Sequence, residues 1–435
     1  MKVTVVGGGS TYTPELADGL ARLRSMLPVD ELCLVDPSTE RLDVIGPFAR
    51  RLFARHGHPG RVTWTSDLDA GSDGASVVLV QLRVGGQAAR ISDETFPLEC
   101  GCIGQETTGA GGLAKALRTV PVVLSVAERV ARRAAPDAWI VDFTNPVGIV
   151  TRALLDAGHR AVGLCNVAIG FQRRFAGLLG VDPSAVVLDH VGLNHLSWER
   201  AVWVDGVDAL PKLLTDHVEP IAAEVGLPPA VLRRLGCIPS YYLRYFYCHD
   251  EVVAAEREVV ARGGPTRGQR VAEIESELLR MYADPTLDTK PALLSQRGGA
   301  FYSEAAVGLV ASLRGSAPGP DRASGGLASV THVSNVRNAG TLAFLNDDAV
   351  IEVTCDVNGE GLTPRPVGAV APELAGLIAA VSAYEELAVQ AARSGGRDRV
   401  YRALLAHPLV GQHALADDLT DRLLAANAAH LGWAR

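Results

Sequence analysis

In the stretch "GLCNVAIG", residues 163–170, a cysteine and an asparagine stand where an apolar strand turns into a helix. Thirty residues further on, "LDHVGLNHLSW" supplies His195. A thiolate and an imidazole form a soft donor pair of the kind that holds a transition-metal ion with positions open to substrate. Spacing alone leaves a second reading of Cys165 open, that of a small buried hydrophobe. Another chemical signal begins the chain, where "VTVVGGGSTYTPELADGL" sets Gly7, Gly8 and Gly9, then Ser10 and Thr11, between a strand and a helix. Such a turn lets backbone approach a pyrophosphate, which helix N–H groups then bind. Tyr12 stands where the third glycine of the dinucleotide fingerprint belongs, so a plain tight turn is the alternative. The second strand ends at Asp36 in "LCLVD", where a carboxylate accepts hydrogen bonds from a ribose 2′-hydroxyl and repels a 2′-phosphate, favouring NAD over NADP. Asp36 or Ser38 is also placed to cap the helix that follows. Cys100 and Cys102, with one residue between them and no second pair nearby, lack the spacing of a metal clip.

These groups need a scaffold, and the first half of the chain supplies a regular one. "KVTVVG", "ELCLVD", "VTWTS", "SVVLVQ", "WIVDF" and "AVGLC" alternate with longer helical patterns. That alternation predicts βαβ units, a parallel sheet and an α/β fold, and six strands fit a Rossmann-type doubly wound domain over 1–170. Beyond it helices mix with the strand patterns "AVVLDHVGL", "SWERAVWVDG", "GTLAFLN" and "AVIEVTCDV", which predicts an α+β domain over 171–435. "RGSAPGPDRASGGLAS", 314–329, is expected to be a surface loop. "PELAGLIAAVSAYEELAVQAARSG" and "RDRVYRALLAHPLV" have the apolar spacing of packing helices.

Hydrophobic residues make up 48% of the 435 and charged residues 21%, the balance of a folded globular protein. The net charge is −8, from 41 Lys and Arg against 49 Asp and Glu, with the basic residues scattered, which argues against a nucleic-acid partner. The apolar run after Met1-Lys2 is too short for a signal segment, and no uninterrupted run reaches the roughly 18 apolar residues that span a bilayer. No membrane partner and a cytoplasmic location are expected. Seven cysteines in so long a chain predict reduced thiols rather than a disulfide framework.

The fifth strand runs into "DFTNPVGI", and an "NPV" there resembles lactate and malate dehydrogenases, in which such an asparagine, here Asn145, lies between nicotinamide and substrate. Those enzymes pair a later histidine with an Asp and an Arg on the helix after the sixth strand. Here that helix begins "CNVAIGFQRR", and the acid is missing. The ordered series "VVGGGSTYTPEL", "LRVGG", "GCIGQETTGAGGLAKALRT", "DFTNPVGI", "GLCNVAIG", "GLNHLSW", "IPSYYLRYFY" and "RGGAFYSEAA" resembles glycoside hydrolase family 4 over nearly the whole chain, its 6-phospho-β-glucosidase branch above all. That family is an NAD- and divalent-metal-dependent exception to two-carboxylate glycoside hydrolysis.

The resemblance implies a lactate/malate dehydrogenase-like fold, and a glycosidase in which NAD oxidises sugar carbon 3, a base removes the proton on carbon 2, the aglycone is eliminated, water adds and NADH returns its hydride. It implies that Cys165 and His195 hold the metal, expected to be Mn²⁺. It also implies that a tyrosine is the carbon-2 base: Tyr242 first, Tyr245 second, among four in the cluster that also holds Tyr241 and Tyr247. A phenol of pKa ~10 needs the metal or a cation such as Arg244 or Arg267 to act at neutral pH, and some of the four are expected to be core aromatics. Asn145, Asn166, Glu106, Arg83 and Arg267 become expected substrate contacts, although arginine is mostly a surface residue. The family's α-glycoside branch carries an acid where Asn166 stands, which points to a β-linked substrate protonated by water. The family often forms homodimers or homotetramers through its helical parts. Three departures stand out: Glu99-Cys100-Gly101 where Arg-His-Gly is common, Ala168 for Pro, and Phe301 for Tyr. A carboxylate at Glu99 would weaken a nearby phosphate site and leaves an unphosphorylated sugar open. A net sugar or 2-hydroxyacid dehydrogenase and an inactive sugar- and NAD-binding regulator are the competing functions.

Overall fold

A computed structural model describes residues 1–299, 301–316 and 329–434. Among them, thirteen strands form one continuous sheet. The six expected strands are present as β1 (Lys2–Val6), β2 (Glu31–Val35), β3 (Arg61–Thr65), β4 (Val77–Val80), β5 (Trp139–Asp142) and β6 (Ala161–Gly163). They pair in parallel in the order β3-β2-β1-β4-β5-β6. β4 and β5 are buried along their whole length, as strands covered on both faces must be. In this doubly wound order the chain reverses direction across the sheet between β1 and β4, which opens a crevice at their carboxyl ends.

The remaining strands are β7 (Val186–Leu193), β8 (Leu196–Val204), β9 (Val207–Asp208), β10 (Ile238–Pro239), β11 (Val330–Arg337), β12 (Val350–Asn358) and β13 (Gly361–Pro364). They extend the same sheet antiparallel, in the order β10-β8-β7-β12-β11-β6, with β13 on β12 and β9 on β8. The join is the register pair Asn335 with Gly163 between β11 and β6. Residue 170 lies inside the helix Val167–Leu179, and the sheet runs on past it.

Two details differ from the sequence reading. "GTLAFLN", 340–346, is not a strand: the Asn338 amide donates to Leu342 O at 3.0 Å, Leu345 O at 3.2 Å and Asn346 O at 3.1 Å, and its Oδ1 accepts from Leu342 N at 2.7 Å. One side chain thus satisfies backbone groups that would otherwise seek a ladder. β11 lacked an apolar signature because its buried positions are Ser334 and Asn335. Of the expected loop at 314–329, residues 317–328 lie outside the described residues. Among the described helices, Gly109–Arg133 and Pro372–Ser394 have the length and composition to cross a membrane, although no uninterrupted apolar run marks them. In this fold they pack against each other.

Candidate active site

The crevice at the carboxyl ends of β1 and β4 is a cleft of about 810 Å³ lined by Gly7, Gly9, Ser10, Asp36 and Arg41. Gly7 has φ +90, and a Cβ there would come within 2.4 Å of Gln81 O; one on Gly9 would meet the Asp36 carboxylate at 2.7 Å. Backbone therefore fills this wall to its limit, the condition a close-lying pyrophosphate needs. Asp36 accepts from Gly9 N and Ser38 N, both at 3.0 Å, while Ser38 caps the helix Thr39–Arg55 by accepting from Arg41 N at 3.3 Å. The cap is thus Ser38, and Asp36 stays on the cleft wall. Thr11 is buried and hydrogen-bonds Glu275 at 3.1 Å, behind the turn rather than on the cleft. Tyr12, in place of the third glycine, donates its hydroxyl to Gly299 O and meets Tyr302 edge-on at 5.8 Å.

Ser10, Gln81, Leu82, Arg83 and Arg297 line this cleft and also a second, adjoining cavity of about 270 Å³. The second cavity gathers Arg83, Glu106, Asn145, Cys165, Asn166, His195 and Tyr242 from six separate parts of the sequence. Cys165 follows β6 and stands one residue before Asn166, the N-cap position of the helix Val167–Leu179. The Val167 N–H, the Asn194 side chain and the Asn166 N–H all favour the charged form of the Cys165 sulfur. Burial and then Glu352 nevertheless push the free thiol up to about 12.

His195 occupies the tip of the β7–β8 hairpin. Leu193 pairs with Leu196, so Asn194 and His195 are the two turn residues, and His195 has φ +64, a conformation unusual for a residue with a side chain. Its Nδ1 faces Thr107 Oγ1 at 3.0 Å, leaving Nε2 for a ligand, and burial holds the imidazole neutral by lowering it to about 4. Among the described residues no group of three or more His, Cys, Asp or Glu surrounds a metal position. Cys165 and His195 would hold an ion with its other positions open, a donor set that fits a metal shared with substrate oxygens.

Tyr242 stacks on the His195 ring, 3.6 Å between centroids and 10° from parallel. Burial, then Cys165, raise its phenol well above the usual range. Neither expected arginine lies on it: Arg244 sits over the Tyr241 and Tyr245 rings, and Arg267 is exposed. Tyr245 is buried outside the cavity, its hydroxyl accepting from Arg244 at 3.1 Å. Arg267 also lies outside and donates to Gln296 O at 2.9 Å and Arg297 O at 3.1 Å, bracing the turn that carries Arg297. Asn145 follows β5 before a cis proline, and its buried Oδ1 has no protein partner among the described residues.

Sequence reasoning missed much of the opposite wall. Glu106 is gripped by Arg83, by Lys115 at 2.7 Å and by Arg90 at 3.2 Å. Burial opposes its charge, but Lys115, Arg83 and Arg90 hold the carboxyl well below its usual range. Burial in turn draws Lys115 down to about 8 against the pull of Glu106. With Arg297, four cations and one carboxylate line the cavity. The one signal for Lys115 was a lone charge in the apolar run "GAGGLAKAL". Glu99 pairs instead with Arg422 at 2.5 Å, outside the cavity, so its expected effect on an anion site falls away. Beside Phe301 it is Tyr302 that lines the cavity.

The family model described as Family 4 glycosyl hydrolase matches residues 2–181, and its C-terminal domain matches 190–410. The chain is 36% identical to a probable 6-phospho-beta-glucosidase of Bacillus subtilis, over 99% of this chain and 97% of that one. It is 34% identical to the 6-phospho-beta-glucosidase of Escherichia coli, over 100% and 96%. The structure of the 6-phospho-beta glucosidase from Thermotoga maritima with manganese, NAD+ and glucose-6-phosphate superposes with a TM-score of 0.88 at 31% identity, covering 99% of both chains. This chain belongs to glycosyl hydrolase family 4.

Proposed function

We propose that the chain is a 6-phospho-β-glucosidase that works with NAD and a divalent metal, Mn²⁺ by preference. The observation that carries this reading is a single cavity in which Cys165, His195 and Tyr242 face a cationic wall, next to the cleft formed by the glycine turn and Asp36. When bound, NAD supplies a hydride acceptor and donor at the sugar, and the metal supplies positive charge to sugar hydroxyl oxygens and the adjacent phenol.

The protein's own groups divide the remaining work. Arg83, Arg90 and Lys115 offer charge-assisted hydrogen bonds to a phosphate on carbon 6, which fixes the ring in the cavity. Arg83 borders both spaces and ties the sugar's position to the cofactor's. Cys165 Sγ and His195 Nε2 would hold the metal. Asn145 Oδ1 accepts from a sugar hydroxyl, which satisfies an otherwise orphaned acceptor. Tyr242 Oη takes the proton from carbon 2. Asn166 has no acidic proton, so water protonates the departing oxygen, which suits a β-linked aglycone.

The same reading places the enzyme in the cytoplasm as a homodimer or homotetramer, and Trp203 and Val207, 42% and 68% exposed, offer apolar surface for assembly. The test is hydrolysis of a 6-phospho-β-glucoside with NAD and Mn²⁺ added or withheld. The reading expects cleavage only with both, no cleavage of the unphosphorylated glycoside and no accumulation of NADH. NADH formed in step with sugar consumed would instead make the chain a dehydrogenase.

A further inference from the structure

Beneath the Cys165–His195 pair, four strands bring together polar side chains that do not line the cavity. Glu352 of β12 pairs in register with Gly192 of β7, which presents no side chain between its face-sharing neighbours His190 and Asn194. The Glu352 carboxylate spans that gap. Its Oε1 meets His190 Nε2 at 3.1 Å, and its Oε2 accepts from Asn194 Nδ2 and from Asn335 Nδ2 of β11, both at 2.9 Å. The other His190 nitrogen meets Glu199 of β8 at 2.7 Å. All five side chains are buried: His190, Glu352 and Glu199 are at most 1% exposed, Asn335 is at 0% and Asn194 at 8%. Although burial opposes it, Glu199 and Glu352 push His190 up to about 10, while burial raises Glu199 and, against burial, hydrogen bonds from His190, Asn194 and Asn335 help to hold Glu352 below its usual range.

A buried ionic cluster contributes little net stability over apolar packing, so its presence asks for another cause. Asn194 suggests one. Its amide donates to Glu352 at 2.9 Å, its side chain favours the Cys165 thiolate, and its backbone leads directly into His195 at the strained tip of the hairpin. One carboxylate therefore restrains the residue that leads into His195 and acts on the Cys165 thiolate. We propose that Glu352 is a positioning residue for the metal pair: anchored by His190 and Asn335, it fixes Asn194 at the hairpin tip and so sets the place of His195 beside Cys165. The anion also adds to the attraction of a nearby divalent cation. Outer partners of this kind orient ligands and typically change metal affinity by about 10- to 100-fold.

The proposal rests on the reading of Cys165 and His195 as the metal-holding pair, and the test separates the two. Mn²⁺ affinity is measured by the electron paramagnetic resonance of free Mn²⁺, without sugar, for the wild-type chain and for Glu352→Gln, Asn194→Ala and Cys165→Ser. NAD affinity and the thermal midpoint are recorded for each. The expected result is no measurable Mn²⁺ binding in Cys165→Ser, and affinity weakened roughly 10-fold or more in Glu352→Gln and Asn194→Ala with NAD affinity unchanged. If Glu352→Gln does not fold, Asn194→Ala decides. Wild-type Mn²⁺ affinity in both of these variants, while Cys165→Ser loses binding, overturns the proposal and leaves the metal site intact. Equal loss of NAD and Mn²⁺ affinity also overturns it, because that is general damage. Wild-type Mn²⁺ affinity in Cys165→Ser overturns the metal site itself, and the proposal with it.

Discussion

The two adjoining spaces are built in opposite ways. The larger cleft has a wall of backbone where it meets the glycine turn: Gly7 and Gly9 without room for a Cβ, the carboxyl ends of parallel strands and the Asp36 carboxylate at the end of β2. The smaller cavity is shaped by side chains, with neutral donors and a stacked phenol on one wall and cations around Glu106 on the other. A surface made of backbone tolerates substitution at single side chains. A surface made of converging charges does not, because each removal leaves a buried partner uncompensated.

Substitutions should therefore cost more in the cavity than in the cleft. The largest loss is expected for Cys165→Ser, with kcat down by about 10³-fold and NAD affinity kept, since a Lewis acid contributes several kcal/mol. Tyr242→Phe should lower kcat by roughly 10²-fold or more while Mn²⁺ and phosphosugar still bind, checked by steady-state kinetics beside direct titration. On the cationic wall, Lys115→Met should raise KM for the phosphorylated substrate by roughly 10- to 100-fold, with kcat much less affected, since one charge-assisted hydrogen bond is lost. In the cleft, Asp36→Ala should weaken NAD by only about 10-fold, leave kcat at saturating NAD near wild type, and narrow the preference for NAD over NADP. A loss of kcat in Asp36→Ala as large as in Cys165→Ser would erase the contrast between the two spaces.

The last prediction concerns stability rather than activity. With His190 raised to about 10 in the folded chain, its contribution is complete below the unfolded value near 6.5 and is lost as pH climbs through 10. The wild-type thermal midpoint should therefore fall between pH 7 and 10 more steeply than that of His190→Gln, followed by circular dichroism.

The same contrast explains what could be read before the structure was known. β4 and β5 were legible because strands buried on both faces are nearly unbroken apolar runs, the edge strand β3 by its β-branched and aromatic residues, and the glycine turn because it is local. Cys165, His195, Asn145 and Tyr242 were recognisable from their place in an ordered series of motifs, not from spacing. Arg90, Lys115 and Arg297 were not, because their meaning lies in a shared carboxylate and a cavity that no local pattern records. Tyr245 and Arg267 miss the cavity: the Tyr245 hydroxyl is taken up by Arg244, and Arg267 is tied to the Gln296 and Arg297 carbonyls, contacts that no local pattern records. β11 was hidden for a related reason: Asn335, buried to serve Glu352, breaks the apolar alternation that marks a strand.

The central claim, that Tyr242 removes the carbon-2 proton of a phosphosugar in this cavity, is tested most directly in heavy water. A 6-phospho-β-glucoside is hydrolysed to completion with NAD and Mn²⁺, and the sugar product is examined by proton magnetic resonance and mass spectrometry. The account predicts deuterium at carbon 2 of the product, with Tyr242→Phe slowing hydrolysis and label incorporation together. Complete hydrolysis with hydrogen retained at carbon 2 would contradict it.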